Sequence, residues 1–247
     1  MTTVQQSPSS LPSANGVSEE TFLQVRDLKM HFPVTEGAIV QKIVAHVKAV
    51  DGVSFDIRRG ETLGLVGESG CGKSMTALTL MAMLPRPPAL APSGAVLYEQ
   101  RNLLTLSEKE LRKIRGSKIA MIFQDPMSCL NPVYTIGDQL AESAQMHLGL
   151  PYDAALYAAK ETMEAVGIAN AAERLFAYPH QLSGGIKQRV MIAMALLCDP
   201  DILIADEPTT ALDVTVQAQV LELFQTIQKK RNLAILLITH DMGVVAN

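Results

Sequence analysis

At 247 residues with 48% apolar composition, the chain is long enough to bury a sizeable core, and one domain carrying a subdomain is the expected organisation. Acidic residues number 25 against 21 basic ones, and a net charge of -4 excludes a general electrostatic attraction for nucleic acid or anionic lipid. Cys71, Cys129 and Cys198 are odd in number and widely spaced, which fits a reducing, cytosolic compartment better than a disulfide framework.

Residues 1–20 are rich in Ser, Pro, Thr and Gln and have neither a basic start nor an apolar run, so they predict a disordered tail and no secretory signal. Structured patterning begins at Thr21, where Phe22, Leu23, Val25, Leu28, Met30 and Phe32 predict an opening strand region, followed by a loop at Glu36 and Gly37. Residues 52–57 and 61–66 predict strands around an Arg58-Arg59-Gly60 turn. A helix is predicted over 73–84, closed by Pro85, with Pro87, Pro88 and Pro92 making an irregular linker. Residues 118–123 predict a strand, and 136–147, 152–166 and 171–177 predict helices from their Ala-rich, weakly periodic composition. Helix 183–198, strand 202–205, helix 215–230 and strand 234–239 complete the pattern. Strands alternating with helices predict a mostly parallel α/β sheet, with the middle stretch of about 126–188 as a helical insertion. The apolar runs 190–198 and 233–238 are far shorter than the roughly 20 residues of a membrane-spanning helix.

The strongest local signal is Gly67-Glu68-Ser69-Gly70-Cys71-Gly72-Lys73-Ser74, a complete phosphate-binding loop between a predicted strand and helix. Its glycines let backbone N–H groups wrap phosphate oxygens, the helix start attracts the anion, Lys73 reaches the β/γ-phosphates and Ser74 ligates Mg²⁺. The loop's neighbour Met75 is included in the binding segment. Cys71 occupies a position the motif leaves free, so thiol alkylation there is expected to block nucleotide binding. Near the other end, the apolar residues 202–205 deliver Asp206 and Glu207 to a strand's C-terminal edge, where open α/β sheets bind ligands. Asp206 fits a Mg²⁺-associated carboxylate, and Glu207 a group that polarises or deprotonates the attacking water. Between them, Leu182-Ser183-Gly184-Gly185-Ile186-Lys187-Gln188 places a Ser-Gly-Gly turn at a helix start, a second anion site or an ordinary Ser cap.

The order phosphate loop, Gln124, Leu-Ser-Gly-Gly, Asp206-Glu207, Ala211-Leu212-Asp213 and His240 resembles the ABC ATPase family over nearly everything from Phe22 onward. The resemblance implies a P-loop NTPase of the ABC type, with a mostly parallel core sheet, a small antiparallel β part and a helical subdomain, occupying residues 21–247. It implies ATP and Mg²⁺ as ligands. It further implies that Ser183, Gly184 and Gly185 act in trans on ATP held by a second cassette, identical or paralogous. Gln124 then resembles the glutamine that senses Mg²⁺ and nucleotide and couples to the membrane partner, Asp213 the interface acid, and His240 the switch histidine at the γ-phosphate. Phe32 is the candidate for stacking on adenine, with a core aromatic as the competing reading. Ile186 departs from the family's usual Gln, which removes any contact assigned to that amide.

The segments Phe123-Gln124-Asp125-Pro126-Met127, Leu130-Asn131-Pro132-Val133, Tyr178-Pro179-His180-Gln181 and His240-Asp241-Met242-Gly243-Val244-Val245 resemble the ATP-binding subunits of oligopeptide, dipeptide, glutathione and nickel importers. That branch implies ATP-driven peptide uptake at the cytoplasmic face of an inner membrane, membrane subunits as partners, and a substrate-binding protein acting indirectly. Residues 125–142 are the expected docking surface for the membrane subunits. Members of the branch usually continue past the switch region, so Asn247 reads as the end of a fragment. A soluble non-transport ABC ATPase, an importer of nickel or another small solute, and a cassette that binds ATP without hydrolysing it are the alternative readings.

Overall fold

The computed structural model describes residues 3–6, 21–36, 42–84, 89–125, 129–210 and 213–241. Two sheets organise it. The first runs β1-β4-β9-β8-β7, with β4 (Thr62–Val66), β9 (Ala234–Thr239), β8 (Ile202–Asp206) and β7 (Ile119–Ile122) parallel to one another and β1 (Thr3–Gln6) antiparallel at the edge. Strands β8 and β9 are buried at every position, which is why they read as unbroken apolar runs and not as alternation. The second, antiparallel sheet runs β3-β2-β5-β6, with β2 (Thr21–Glu36), β3 (Lys42–Arg58), β5 (Ser93–Tyr98) and β6 (Arg101–Asn102).

The parallel sheet separates two apolar clusters. Ile202, Ile204, Leu236, Ile238, Leu63 and Leu65 face one side, where they meet the antiparallel sheet and Ala77 and Leu80 of α1 (Lys73–Leu80). The alternate residues Leu203, Ala205, Ile235 and Leu237 face the other, against α3 (Ile136–Leu148), α4 (Tyr152–Ala165), α5 (Ala171–Arg174), α6 (Gly184–Leu196) and α7 (Val214–Arg231). Burying each large aliphatic side chain contributes about 1.5–3 kcal/mol, so both faces of the sheet are committed to packing. Only the strand ends are left for chemistry.

Several stretches differ from the sequence reading. Thr3–Gln6, expected within a disordered tail, forms a strand because the open backbone edge of β4 supplies hydrogen-bond partners. Strand β3 begins at Lys42 and not at 52. Its first seven residues are exposed, so no buried alternation marks them, and pairing with β2 holds them. Helix α1 stops at Leu80, short of 84, because Ala82 takes a left-handed φ of 49° and the Arg115 guanidinium donates to the carbonyls of Met81 and Ala82, both at 2.7 Å. A short α2 (Glu108–Leu111), opened by a Ser107–Glu110 capping box, also escaped the periodicity.

At the N-terminal ends of the parallel strands, Asp201 joins the sheets. Tyr98 of β5 donates to its Oδ2 at 2.8 Å, Lys118 lies at 3.4 Å and Arg59 at 3.9 Å, while Arg59 also covers the Phe22 ring at 4.1 Å. Burial, reinforced by the hydrogen bond to Asp201, pushes the Tyr98 phenol far above its usual range. Tyr98→Phe keeps the edge-to-face packing on Phe22 and removes only the charged-acceptor bond. Its expected cost, read from the denaturant midpoint at constant m-value, is about 1.5 kcal/mol.

Candidate active site

Each parallel strand delivers a functional segment to the same edge. The strand pairing aligns Val66 with Thr239, Asp206 with Ile238 and Ile122 with Ala205, so the chain leaves β4, β9, β8 and β7 at matching heights. The phosphate loop follows β4, Asp206 ends β8 with Glu207 next, His240 follows β9 and Gln124 lies just beyond β7.

The loop 67–74 closes over its own lysine. Lys73 Nζ, nearly buried, donates to the carbonyls of Gly67 at 2.8 Å and Glu68 at 2.9 Å, and stands 4.0 Å from Cys71 Sγ. Gly72 has φ 96°, and a Cβ there would come within 2.1 Å of the Ala49 carbonyl on β3, so no side chain fits. Glu68, Ser69 and Gly70 are exposed on the loop, while Met75, in the first turn of α1, packs against the core. Phe32 sits opposite Val47 in the β2–β3 ladder and is only partly buried against the core.

Asp206 and Glu207 adjoin in sequence but sit in opposite electrostatic surroundings. Asp206 is 3% exposed and its Oδ1 has no hydrogen-bond partner, while burial pushes the carboxyl above its usual range against a lowering hydrogen bond from Ser74. A buried, orphaned carboxylate oxygen beside a serine hydroxyl fits a hard divalent cation as its missing partner. Glu207 takes a left-handed φ of 47° and carries a well-supplied carboxylate. Gln124 Nε2 donates to Oε2 at 2.9 Å, the Thr210 hydroxyl donates to the same oxygen at 3.0 Å, and His240 Nδ1 lies 3.2 Å from Oε1. Burial raises this carboxyl, but the bonds from His240 and Thr210 outweigh it and hold Glu207 below the usual range.

The structure thus brings Gln124, Glu207 and His240 into direct contact and sets Asp206 beside Ser74. Ser183, Gly184 and Gly185 lie elsewhere. Ser183 is the exposed N-cap of α6 and makes no side-chain cap bond, and Gly185 approaches Val216 of α7 on the helical side of the sheet. Ile186 packs against that side's apolar cluster, which accounts physically for an aliphatic residue there. Asp213 caps α7 through its carboxylate to the Val216 N–H at 2.9 Å. Ala211, Leu212 and residues from Met242 onward fall outside the described residues. Sequence reasoning missed Thr210 and Gln188; the latter, 1% exposed on α6, donates to the Pro208 carbonyl at 2.5 Å. Gln188 closes the Leu182–Gln188 segment already singled out, but no spacing rule says where either side chain goes.

A family profile described as "ABC transporter" matches residues 50–210. The chain belongs to that ABC transporter family. Dipeptide transport ATP-binding protein DppD of Bacillus subtilis is 53% identical over 227 residues, covering 92% of this chain and 65% of DppD. Oligopeptide transport ATP-binding protein OppD of the same organism is 48% identical over 92% of this chain and 61% of OppD. Glutathione import ATP-binding protein GsiA of Escherichia coli is 47% identical over 96% of this chain but only 37% of GsiA, so the chain spans less than two thirds of these relatives. Among solved structures, the dimeric post-hydrolysis state of the ATP-binding cassette MJ0796, bound to ADP and Pi, superposes with TM-score 0.74 at 26% identity, covering 90% of this chain and 89% of MJ0796. CbiO1 from Clostridium perfringens gives 0.71 at 28% identity, covering 92% and 81%. This ABC cassette is therefore a mixed α/β P-loop fold, and no helix among its described residues is long and apolar enough to cross a membrane.

Two outcomes follow for the cassette. Asp206→Asn replaces a buried carboxylate whose Oδ1 has no hydrogen-bond partner, and is expected to raise the stability of the nucleotide-free protein by about 1–2 kcal/mol while abolishing Mg²⁺-dependent nucleotide binding. Thermal melts with and without Mg²⁺-ATP read both effects. Alkylating Cys71, half-buried within hydrogen-bonding reach of Lys73, is expected to weaken ATP binding at least about tenfold, and Cys71→Ser to abolish that sensitivity.

Proposed function

We propose that this chain binds and hydrolyses Mg²⁺-ATP as the motor subunit of an importer for peptides, working at the cytoplasmic face of a membrane. The observation that carries the proposal is the convergence of Gln124, Glu207 and His240 beside the phosphate loop, on the edge where Asp206 presents an orphaned oxygen. The likeness to dipeptide, oligopeptide and glutathione ATP-binding proteins supports the substrate class.

In this reading the backbone N–H groups of 67–74 and the start of α1 hold the phosphates, and Phe32 stacks on the adenine. Lys73 exchanges its loop carbonyls for β/γ-phosphate oxygens. Ser74, Asp206 and Gln124 are the residues that hold Mg²⁺, which neutralises phosphate charge when bound. Glu207 accepts a proton from the attacking water as its oxygen closes on the γ-phosphorus and the bridge to ADP breaks, and His240 orients that water. Ser183, Gly184 and Gly185 lie on the opposite side of the sheet from α1, which supports their service to the nucleotide of a second cassette.

The helices between about 126 and 188 form, on this proposal, a subdomain that meets the membrane subunits through 125–142. A cavity of about 820 Å³ lined by Asn131, Tyr134, Asp138, Glu142 and Met146 supports that docking surface, as does the exposure of Val133 and Met146, 71% and 72%. Its Met146 and Met194 side chains and the carboxylates of Asp138 and Glu142 suit a helix with aliphatic and basic residues.

The test is Glu207→Gln in the full-length chain. ATP turnover is expected to fall about 10²–10⁴-fold with ATP binding retained, and sedimentation is expected to show a dimer only with Mg²⁺-ATP. Undiminished turnover would overturn the reading.

A further inference from the structure

The Glu207–Thr210 turn is pinned more thoroughly than a strand-to-helix connection requires. Glu207 N–H donates to the Ile238 carbonyl at 2.9 Å, and Thr210 N–H returns to the Glu207 carbonyl at 3.1 Å. The Gln188 amide, buried on α6, holds the Pro208 carbonyl. Any residue at 210 other than proline would make the backbone bond. The hydroxyl is additional, and it is spent on Glu207 Oε2 at 3.0 Å, aimed by a β-branched side chain with few rotamers.

A carboxylate offers about four acceptor sites, two on each oxygen. Gln124 and Thr210 take both on Oε2. His240 Nδ1 faces Oε1, and among the described residues nothing else does. The arrangement therefore leaves one acceptor site, on the oxygen that His240 also contacts.

We infer that Thr210 is a positioning residue for hydrolysis: with Gln124 it occupies Oε2 of Glu207, so that the attacking water is received on Oε1 beside His240. Gln188 keeps the turn at the height where the hydroxyl reaches. The inference rests on the reading of Glu207 as the group that takes the water's proton. Thr210 is not assigned to the nucleotide site, so its loss acts on the chemical step and not on ATP binding.

The experiment compares Thr210→Val, Thr210→Ser and Glu207→Gln in the full-length chain, reading kcat, the KM for Mg²⁺-ATP, equilibrium ATP binding and the melting temperature. Thr210→Val keeps the shape and removes the hydroxyl. It is expected to lower kcat about tenfold or more, with KM and ATP binding within about twofold and the melting temperature within a few degrees, whereas Thr210→Ser restores kcat to within about threefold. An unchanged or raised kcat in Thr210→Val, with turnover lost in Glu207→Gln, overturns the role of Thr210 and leaves Glu207 in place. A fall in kcat matched by weaker ATP binding and lower melting temperature, not rescued by Ser, also overturns it. Retained turnover in Glu207→Gln removes the reading of Glu207 and this inference together.

Discussion

The register of four parallel strands is the constraint on which the cassette depends. Val66, Thr239, Asp206 and Ile122 end their strands at matching heights, and the segments that follow them carry the phosphate loop, His240, Glu207 and Gln124. A one-residue slip of β8 would turn Asp206 to the other face and move Glu207 out of reach of Gln124 and His240. Such a slip is opposed by packing on both faces, since Ile202 and Ile204 fill one cluster while Leu203 and Ala205 fill the other. The site is precise because its carriers have no second way to be buried.

Within that frame, neighbouring carboxylates are driven apart in character. Burial with little compensation raises Asp206, and a ring of donors lowers Glu207 although burial opposes it. Environment alone creates that division between chemically similar side chains. The left-handed φ of Glu207 is the local strain that turns its side chain back toward Gln124 and His240, and β9 offsets that strain by accepting the Glu207 N–H.

The helical side of the sheet carries a different kind of information. Helix α6 is preceded by an N-cap, Ser183, that makes no side-chain cap bond, and opens on an exposed glycine, yet a few residues later it buries Gln188 against the turn that holds Glu207. A segment proposed to read another cassette's nucleotide is thus tied through Gln188 to the turn that carries Glu207. Ile186 fits the same arrangement, because its side chain joins the apolar cluster beneath the helix.

Much of this was legible in the residues themselves. The apolar runs of β8 and β9, the phosphate loop and the Asp206-Glu207 pair were readable because burial on both sheet faces and phosphate chemistry each demand a local pattern. The Ser107–Glu110 capping box carried an equally local signal that periodicity passed over. What needed tertiary structure were the parts whose partners are distant in sequence: β1 on the edge of β4, the exposed start of β3 on β2, and Arg115 ending α1. The same holds for Thr210 and Gln188, whose backbone turn is short but whose worth lies in contacts to Glu207 and Pro208. Local pattern determines which side chains are present at the strand ends; only the packed sheet decides which oxygen each donor meets, because that depends on strands and helices far apart along the chain arriving in register.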